Sequence, residues 1–178
     1  EYDGSSWSEV SDLNQAVKKQ AGGGTTTDAL IAGGSLPALV DTTETWNGSV
    51  WSTSPATLNT ARRDAAAAGN GTSTAALIFG GLDPSTVAIT EEFNGTSWSE
   101  KADLGSARYQ LGGSGTSTNA LAFGANGAGP NSVFTEAWNG TSWTEVADLG
   151  SPKYAPGLGG NSGASDAFVA AGYAHPPA

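Results

Sequence analysis

A seven-residue motif that ends in tryptophan recurs four times in this chain, and no other feature constrains the fold as strongly. The copies occupy residues 1–7, 45–51, 92–98 and 137–143, so the interval between them is about 45 residues. Repeats of this length are single supersecondary units that bury their apolar surface against their neighbours. The sequence therefore predicts one small unit repeated four times.

Each motif carries two aromatic residues that flank a turn-forming dipeptide. The first aromatics are Tyr2, Trp46, Phe93 and Trp138, and the second are Trp7, Trp51, Trp98 and Trp143. The dipeptides are Asp3-Gly4, Asn47-Gly48, Asn94-Gly95 and Asn139-Gly140. Asn-Gly and Asp-Gly favour the two-residue type I′ turn of a β-hairpin. We therefore predict a hairpin at every motif, with aromatics that pack between units rather than stack on sugars.

Two further strands are predicted in each unit. Apolar runs at 29–34, 76–81, 120–125 and 167–172 are short and end in or near glycine, which is typical of a buried strand. A stretch rich in Gly, Ser and Thr precedes each run and is also predicted to be a strand, with small residues where backbones crowd. The run at 65–68 is alanine-rich, but its counterparts are glycine-rich, so we predict a strand there rather than a helix.

Four-stranded units at this interval indicate an all-β fold, a β-propeller of four antiparallel blades. The sequence resembles kelch repeats at Arg108-Tyr109, Phe79-Gly80-Gly81, Trp138 and Trp143, and the likeness extends along the whole sequence. The glycine pair of that pattern becomes Gly124-Ala125 and Ala171-Gly172 in the last two units. The units also resemble the Asn-Gly-Thr-Ser-Trp kelch-like arrays of phage and environmental bacterial proteins.

The phase of the repeat predicts how such a ring closes. The last two strands of one blade are expected from residues 1–13, and its first two strands from about 151–173. Residues 174–178 form a tail. Complete blades are expected at about 16–58, 60–104 and 106–149. Joining the two half-blades gives a closed ring within one chain, which we prefer, and the same pairing between chains gives a two-fold eight-bladed ring or a filament.

Four basic residues recur just before the innermost strand of each unit: Lys18, Arg62, Arg108 and Lys153. Acids stand two residues before three of the first aromatics, at Glu44, Glu91 and Glu136. One hypothesis is that these charges pair within the fold. The other is that the cations form a ring that binds an anion such as a sugar carboxylate.

The segments that join strands two and three differ in length and sequence between units, at 35–42, 82–88 and 126–131. Propellers bind ligands mainly through loops, so these segments are candidate binding loops, although unconstrained turns would look the same.

The functional prediction is a non-catalytic binding or structural module. The single histidine, His175, is not part of a catalytic motif, Cys is absent, and we expect no cofactor and no metal site, although a calcium ion held by backbone carbonyls would leave no trace. A net charge of −10 opposes nucleic-acid binding, and no apolar run is long enough for membrane insertion. The expected partner is a glycan or a protein at a phage particle (virion) or extracellular bacterial surface.

Two other functions stay open, a self-assembling subunit and a glycan-active enzyme that uses paired carboxylates. The sequence has no Met, and Glu1 lies inside a repeat unit. We therefore expect a processed product, an excised domain or part of a longer protein.

Overall fold

The computed structural model describes residues 1–126, 133–159, 167–170 and 172–173. This part of the protein is all-β, as predicted, and it contains no helix. Consequently, it offers no helix long and apolar enough to cross a membrane.

Three antiparallel four-stranded sheets follow one another along the sequence, and in each of them the strands neighbour one another in sequence order. Sheet I consists of Ala21–Gly24, Ala29–Ala32, Thr43–Trp46 and Trp51–Thr53. Sheet II consists of Ala66–Ala67, Ala76–Phe79, Thr90–Phe93 and Trp98–Glu100. Sheet III consists of Gly112–Thr116, Asn119–Phe123, Thr135–Trp138 and Trp143–Glu145. Two short ribbons, Ser35–Leu36 with Ala38–Leu39 and Leu82–Asp83 with Ser85–Thr86, lie between strands two and three of sheets I and II.

The prediction of four complete blades is wrong for the described residues, which form three. The fourth repeat is present as two separate parts. One is the antiparallel pair Gly157–Gly159 and Phe168–Ala170, which we call the half-sheet, and the other is the N-terminal hairpin of residues 1–8, where Tyr2 bridges to Trp7. No ladder joins these parts in the described residues. In sheets I to III a direct connection holds strands two and three together, whereas here they belong to segments far apart in sequence, with no short connection between them.

The predicted hairpins are present at the motifs, but their turns differ from the prediction. Trp46 pairs with Trp51, so the loop has four residues rather than the two of a type I′ turn. The Asn47 side chain explains the longer loop, because its Oδ1 accepts the N–H groups of Ser49 and Val50, both at 3.0 Å. Asn94 and Asn139 make the same bonds in sheets II and III. The asparagines are therefore turn residues, but as side-chain acceptors rather than as residues with positive φ.

The first strands of successive sheets lie against one another, which explains their small residues. A Cβ atom on Gly113 of sheet III would lie 2.2 Å from the Ala67 carbonyl oxygen of sheet II, and one on Gly23 of sheet I would lie 2.5 Å from that of Gly69. Ala66 and Ala67 form the first strand of sheet II, so the alanine run at 65–68 is extended as predicted. Only small side chains permit this backbone approach.

Tryptophans of the fourth strands connect neighbouring sheets. The indole N–H of Trp98 in sheet II donates to Thr43 Oγ1 in sheet I at 2.9 Å, and that of Trp143 in sheet III donates to Thr90 Oγ1 in sheet II at 3.0 Å. Trp143 also meets Phe79 of sheet II edge to face, with ring centroids 4.8 Å apart. The repeated aromatics thus pack within and between the sheets.

Replacing Trp98 by Phe is expected to lower the free energy of unfolding by about 2 kcal/mol, because it removes the indole N–H and leaves the buried Thr43 hydroxyl without its donor. Trp51→Phe is the matched control, since the Trp51 indole has no acceptor within the described residues. Urea unfolding of both variants measures the difference, and equal losses would show that ring volume alone matters.

Candidate functional site

One end of the sheets carries the segments that lead into the first strand of each sheet, and these segments share an unusual backbone. Lys19, Asp64, Gln110 and Ala155 occupy equivalent positions, and all have φ between 46° and 62°. Their backbones are linked in series: Asp64 N–H donates to the Lys19 carbonyl at 3.0 Å, and Gln110 N–H donates to the Asp64 carbonyl at 2.8 Å. Ala155 N–H continues the series to the Gln110 carbonyl at 2.8 Å.

These four residues form what we call the mouth series. Left-handed φ costs a non-glycine residue on the order of 1 kcal/mol, and such strain persists only where surrounding contacts enforce it. Here the hydrogen bonds between successive sheets supply that enforcement. Strained positions of this kind cluster at functional sites, so the mouth series marks a candidate binding region.

A surface cleft of about 410 Å³ opens beside the mouth series, between sheets I and II. It is lined by Lys18, Lys19, Ser35, Pro37, Ala38, Leu39, Arg63 and Pro84. Its walls therefore come from the segments that precede the first strands and from the two short ribbons. We call it the basic cleft.

The basic cleft concentrates three of the seven Lys and Arg residues of a protein whose net charge is −10. Lys19 Nζ and Arg63 Nη1 both contact the same oxygen of Asp64, at 3.1 and 2.8 Å. Their side chains stay 41% and 34% exposed. Lys18 is exposed and has no carboxylate partner in the described residues. Two of the three cations thus share one carboxylate and Lys18 contacts none that the structure describes, so the residues that line the cleft carry a positive excess.

Arg62 and Arg108, for which the sequence leaves open both pairing within the fold and anion binding, lie inside the fold. Arg62 Nη1 contacts Glu91 Oε1, and neither side chain is exposed. Arg108 Nη2 contacts Glu136 Oε1 at 2.6 Å, and burial lowers the pKa of its guanidinium although Glu136 opposes that shift. The structure therefore places these two guanidinium groups against acids of their own sheets, away from the basic cleft.

The prediction that Lys18 occupies the same position as Arg62 is wrong by one residue. Lys18 bridges to Ser35 as Arg63 bridges to Leu82, so the equivalent of Arg62 in sheet I is Val17. The offset arises because the basic residues come as Lys18-Lys19 in one unit and Arg62-Arg63 in the next. The correction makes Lys18 and Arg63 equivalent, and both line the basic cleft.

In sheet I, where Val17 stands at the position of Arg62, the buried acid Glu44 is bound by backbone and amide donors instead. Its carboxylate accepts the backbone N–H and the side-chain amide of Asn14, at 2.8 and 2.9 Å, and the N–H of Gln15 at 3.1 Å. Glu91 binds Asn59 in the same way, in addition to its arginine. These acids fasten the segment that enters each sheet.

Lys153, the last of the four basic residues proposed for binding, is partly buried, and its carbonyl accepts the N–H of Ala125 at 2.9 Å. Of the candidate loops, 35–42 and 82–88 contribute to the basic cleft, whereas 127–131 and His175 lie outside the described residues. Sequence reasoning missed Lys19, Arg63 and Asp64, because their equivalents in other units share no chemistry.

Two further results concern the identity of the site. Among the described residues, no group of three or more His, Cys, Asp or Glu side chains is arranged to hold a metal ion. Comparison with protein-family models and with curated proteins found no match for this sequence.

Proposed function

We propose that this protein is a kelch-like propeller module that binds an anionic glycan, and that the basic cleft is its binding site. The observation that carries the proposal is the positive excess of the cleft lining, where Lys19 and Arg63 share the carboxylate of Asp64 and Lys18 contacts no carboxylate in the described residues. In a protein with far more acids than bases, a cation cluster attracts an anion against the field of the whole molecule.

The shape of the basic cleft favours a carboxylate on a sugar over a small inorganic ion. Its volume of about 410 Å³ lies in the range of small-molecule sites and exceeds what one ion fills. Pro37, Leu39 and Pro84 give it apolar walls that suit the faces of a sugar ring. The Arg63 guanidinium is planar, and a ligand carboxylate can bind to the N–H groups other than those of Nη1, which contacts Asp64.

The kelch assignment rests on different observations. Three sheets have the four-stranded meander of a blade, and their first strands lie side by side. Bonds from Trp98 to Thr43 and from Trp143 to Thr90 repeat the same relation between neighbours. These features support the propeller, and the resemblance of the motifs supports a setting on a virion or a bacterial exterior. The role that we propose is non-catalytic.

A galacturonic acid oligosaccharide is expected to bind more tightly than the neutral galactose oligosaccharide of equal length. Replacing Lys18 and Arg63 together by Ala is expected to weaken binding by about tenfold or more, since each exposed charge contributes about 1 kcal/mol at contact distance. Titration calorimetry at low salt and at high salt (about 0.5 M NaCl) measures both effects, and salt is expected to weaken binding.

Lys101→Ala is the matched control, because it removes one positive charge from an exposed ion pair with Glu92, outside the basic cleft. It should leave the affinity within twofold. Equal binding of the neutral oligosaccharide, or an unchanged affinity in the double variant, would reject the basic cleft as the site. Shortened oligosaccharides in the same samples, seen by mass spectrometry, would contradict the non-catalytic role.

A further inference from the structure

Thr135 of sheet III holds a buried hydroxyl that lacks a partner. Its Oγ1 has no hydrogen bond in the described part of the protein, although the atom is out of contact with solvent. The equivalent hydroxyls, those of Thr43 and Thr90, each accept an indole N–H from the following sheet. They are 0% exposed, whereas Thr135 is 7% exposed. Among the described residues, Thr135 of sheet III therefore lacks the indole donor that its equivalents in sheets I and II have.

The N-terminal hairpin carries a donor of the required kind. Trp7 is the counterpart of Trp98 and Trp143 in the repeat, yet it is 80% exposed where Trp98 is 6% exposed. The Tyr2 ring is tilted against it, with ring centroids 5.3 Å apart, and Tyr2 is itself 49% exposed, whereas its counterpart Phe93 is 1% exposed. A hairpin with two such rings in water is a folded element without the sheet that it would cover.

The half-sheet presents the complementary surface. Its outer strand, Phe168–Ala170, pairs only with Gly157–Gly159, so its other edge carries no ladder within the described residues. In sheets I and II that edge pairs with strand three, where Leu30 faces Thr45 and Leu77 faces Glu92. By the same register Phe168 would face Glu1. Phe168 and Tyr173 are 63% and 67% exposed.

We propose that the N-terminal hairpin of one molecule completes the fourth repeat of a second copy of this protein. In that arrangement the Trp7 indole donates to Thr135 Oγ1 of the other copy, as Trp143 donates to Thr90 within one molecule. The hairpin then covers the Phe168 edge of the half-sheet. The contact continues the interface that already joins sheets I, II and III, and it supplies the donor that Thr135 lacks.

We assign the partner to a second copy because the hairpin and the half-sheet of one molecule leave each other's strand edges unpaired in the described residues. Both parts are folded, and still no ladder joins them in the residues that the structure describes. Reciprocal exchange between two molecules satisfies both open surfaces of each copy and closes the assembly with two-fold symmetry.

Engineered disulfides can show whether the hairpin that covers the half-sheet comes from the same molecule or from a second copy. The native sequence has no cysteine, so only the introduced pair can form a disulfide. Protein with Glu1→Cys is mixed with protein with Phe168→Cys and oxidised by air. Paired residues of antiparallel strands have Cα atoms about 4.5–5.5 Å apart, a separation that a disulfide can span, so a covalent mixed dimer is expected on a non-reducing gel. The control mixes Glu1→Cys with Val146→Cys, an exposed position at the end of sheet III, and should give only the background level of mixed dimer.

A double variant, with Glu1→Cys and Phe168→Cys in one molecule, tests the competing source. At low concentration it should remain reduced or form linked dimers. A monomer with an internal disulfide would overturn the proposal, because it would show that the molecule's own hairpin closes the ring.

Association strength gives the second readout. Trp7→Ala is expected to weaken dimerisation by about thirtyfold or more, and Thr135→Val by about tenfold, as judged by sedimentation equilibrium. Thr90→Val, which breaks the equivalent bond inside one molecule, should lower stability but leave the dimerisation constant of the folded protein within threefold. A native protein that is monomeric at all concentrations would refute the proposal.

Discussion

Replacing Arg62 by Leu is expected to lower the free energy of unfolding by about 3–5 kcal/mol. Arg62 is 1% exposed and contacts Glu91, which is 0% exposed. Without the guanidinium, a carboxylate remains in the interior with only Asn59 and Thr60 as donors. An uncompensated buried charge is far more costly than the pair was beneficial.

Urea unfolding followed by tryptophan fluorescence measures this loss. Arg62→Lys keeps the charge and is expected to fold with a smaller loss, so it remains informative if the leucine variant does not fold. Lys101→Ala is the matched control, because Lys101 Nζ lies 2.9 Å from Glu92 Oε2 in an ion pair whose members are 34% and 28% exposed. Its effect should stay within about 0.5 kcal/mol. Equal losses in the leucine variant and this control would contradict the buried-charge explanation.

The second large effect is expected for Gly113→Ala, which should lower the free energy of unfolding by about 3 kcal/mol. A methyl group there would lie 2.2 Å from the carbonyl oxygen of Ala67 and 2.8 Å from the Phe79 ring. Backbone cannot yield as a flexible side chain does, so sheets II and III would have to separate. The change adds one carbon atom, yet it acts on the contact between the first strands of two sheets.

Gly69→Ala is the control for that prediction, since a Cβ there meets nothing within 4 Å. It should be neutral or slightly stabilising, because alanine restricts the unfolded state. Thermal unfolding of both variants provides the comparison. A Gly113→Ala protein as stable as the native one would mean that the first strands are not in contact as described.

The repeat made much of the fold predictable. Four short strands per unit follow from the Asn-Gly turns and from apolar runs such as Leu77–Phe79, because these signals are local. The turn type was not predictable from the dipeptide alone, since the Asn47 side-chain oxygen competes with the backbone for the same N–H groups. The number of complete sheets was also mispredicted, because the fourth requires residues 1–13 and 151–173 to meet.

The candidate site was only partly predictable. The sequence singled out Lys18 and the loops at 35–42 and 82–88, which line the basic cleft. It also singled out Arg62 and Arg108, because the recurrence of a basic residue looks the same whether it faces solvent or an acid. Arg63 gave no signal, since its equivalents are a lysine in one unit and tyrosines in two others. Exposure, which separates Arg62 from Arg63, is a property of the folded protein.

The mouth series has a consequence for how this surface changes over evolutionary time. Its links run from backbone N–H groups to backbone carbonyls, so they hold Lys19, Asp64, Gln110 and Ala155 in place regardless of what each side group is. Four chemically unlike residues already share the position. The side chains at these positions can therefore change by single codon substitutions while the backbone links between the sheets are kept.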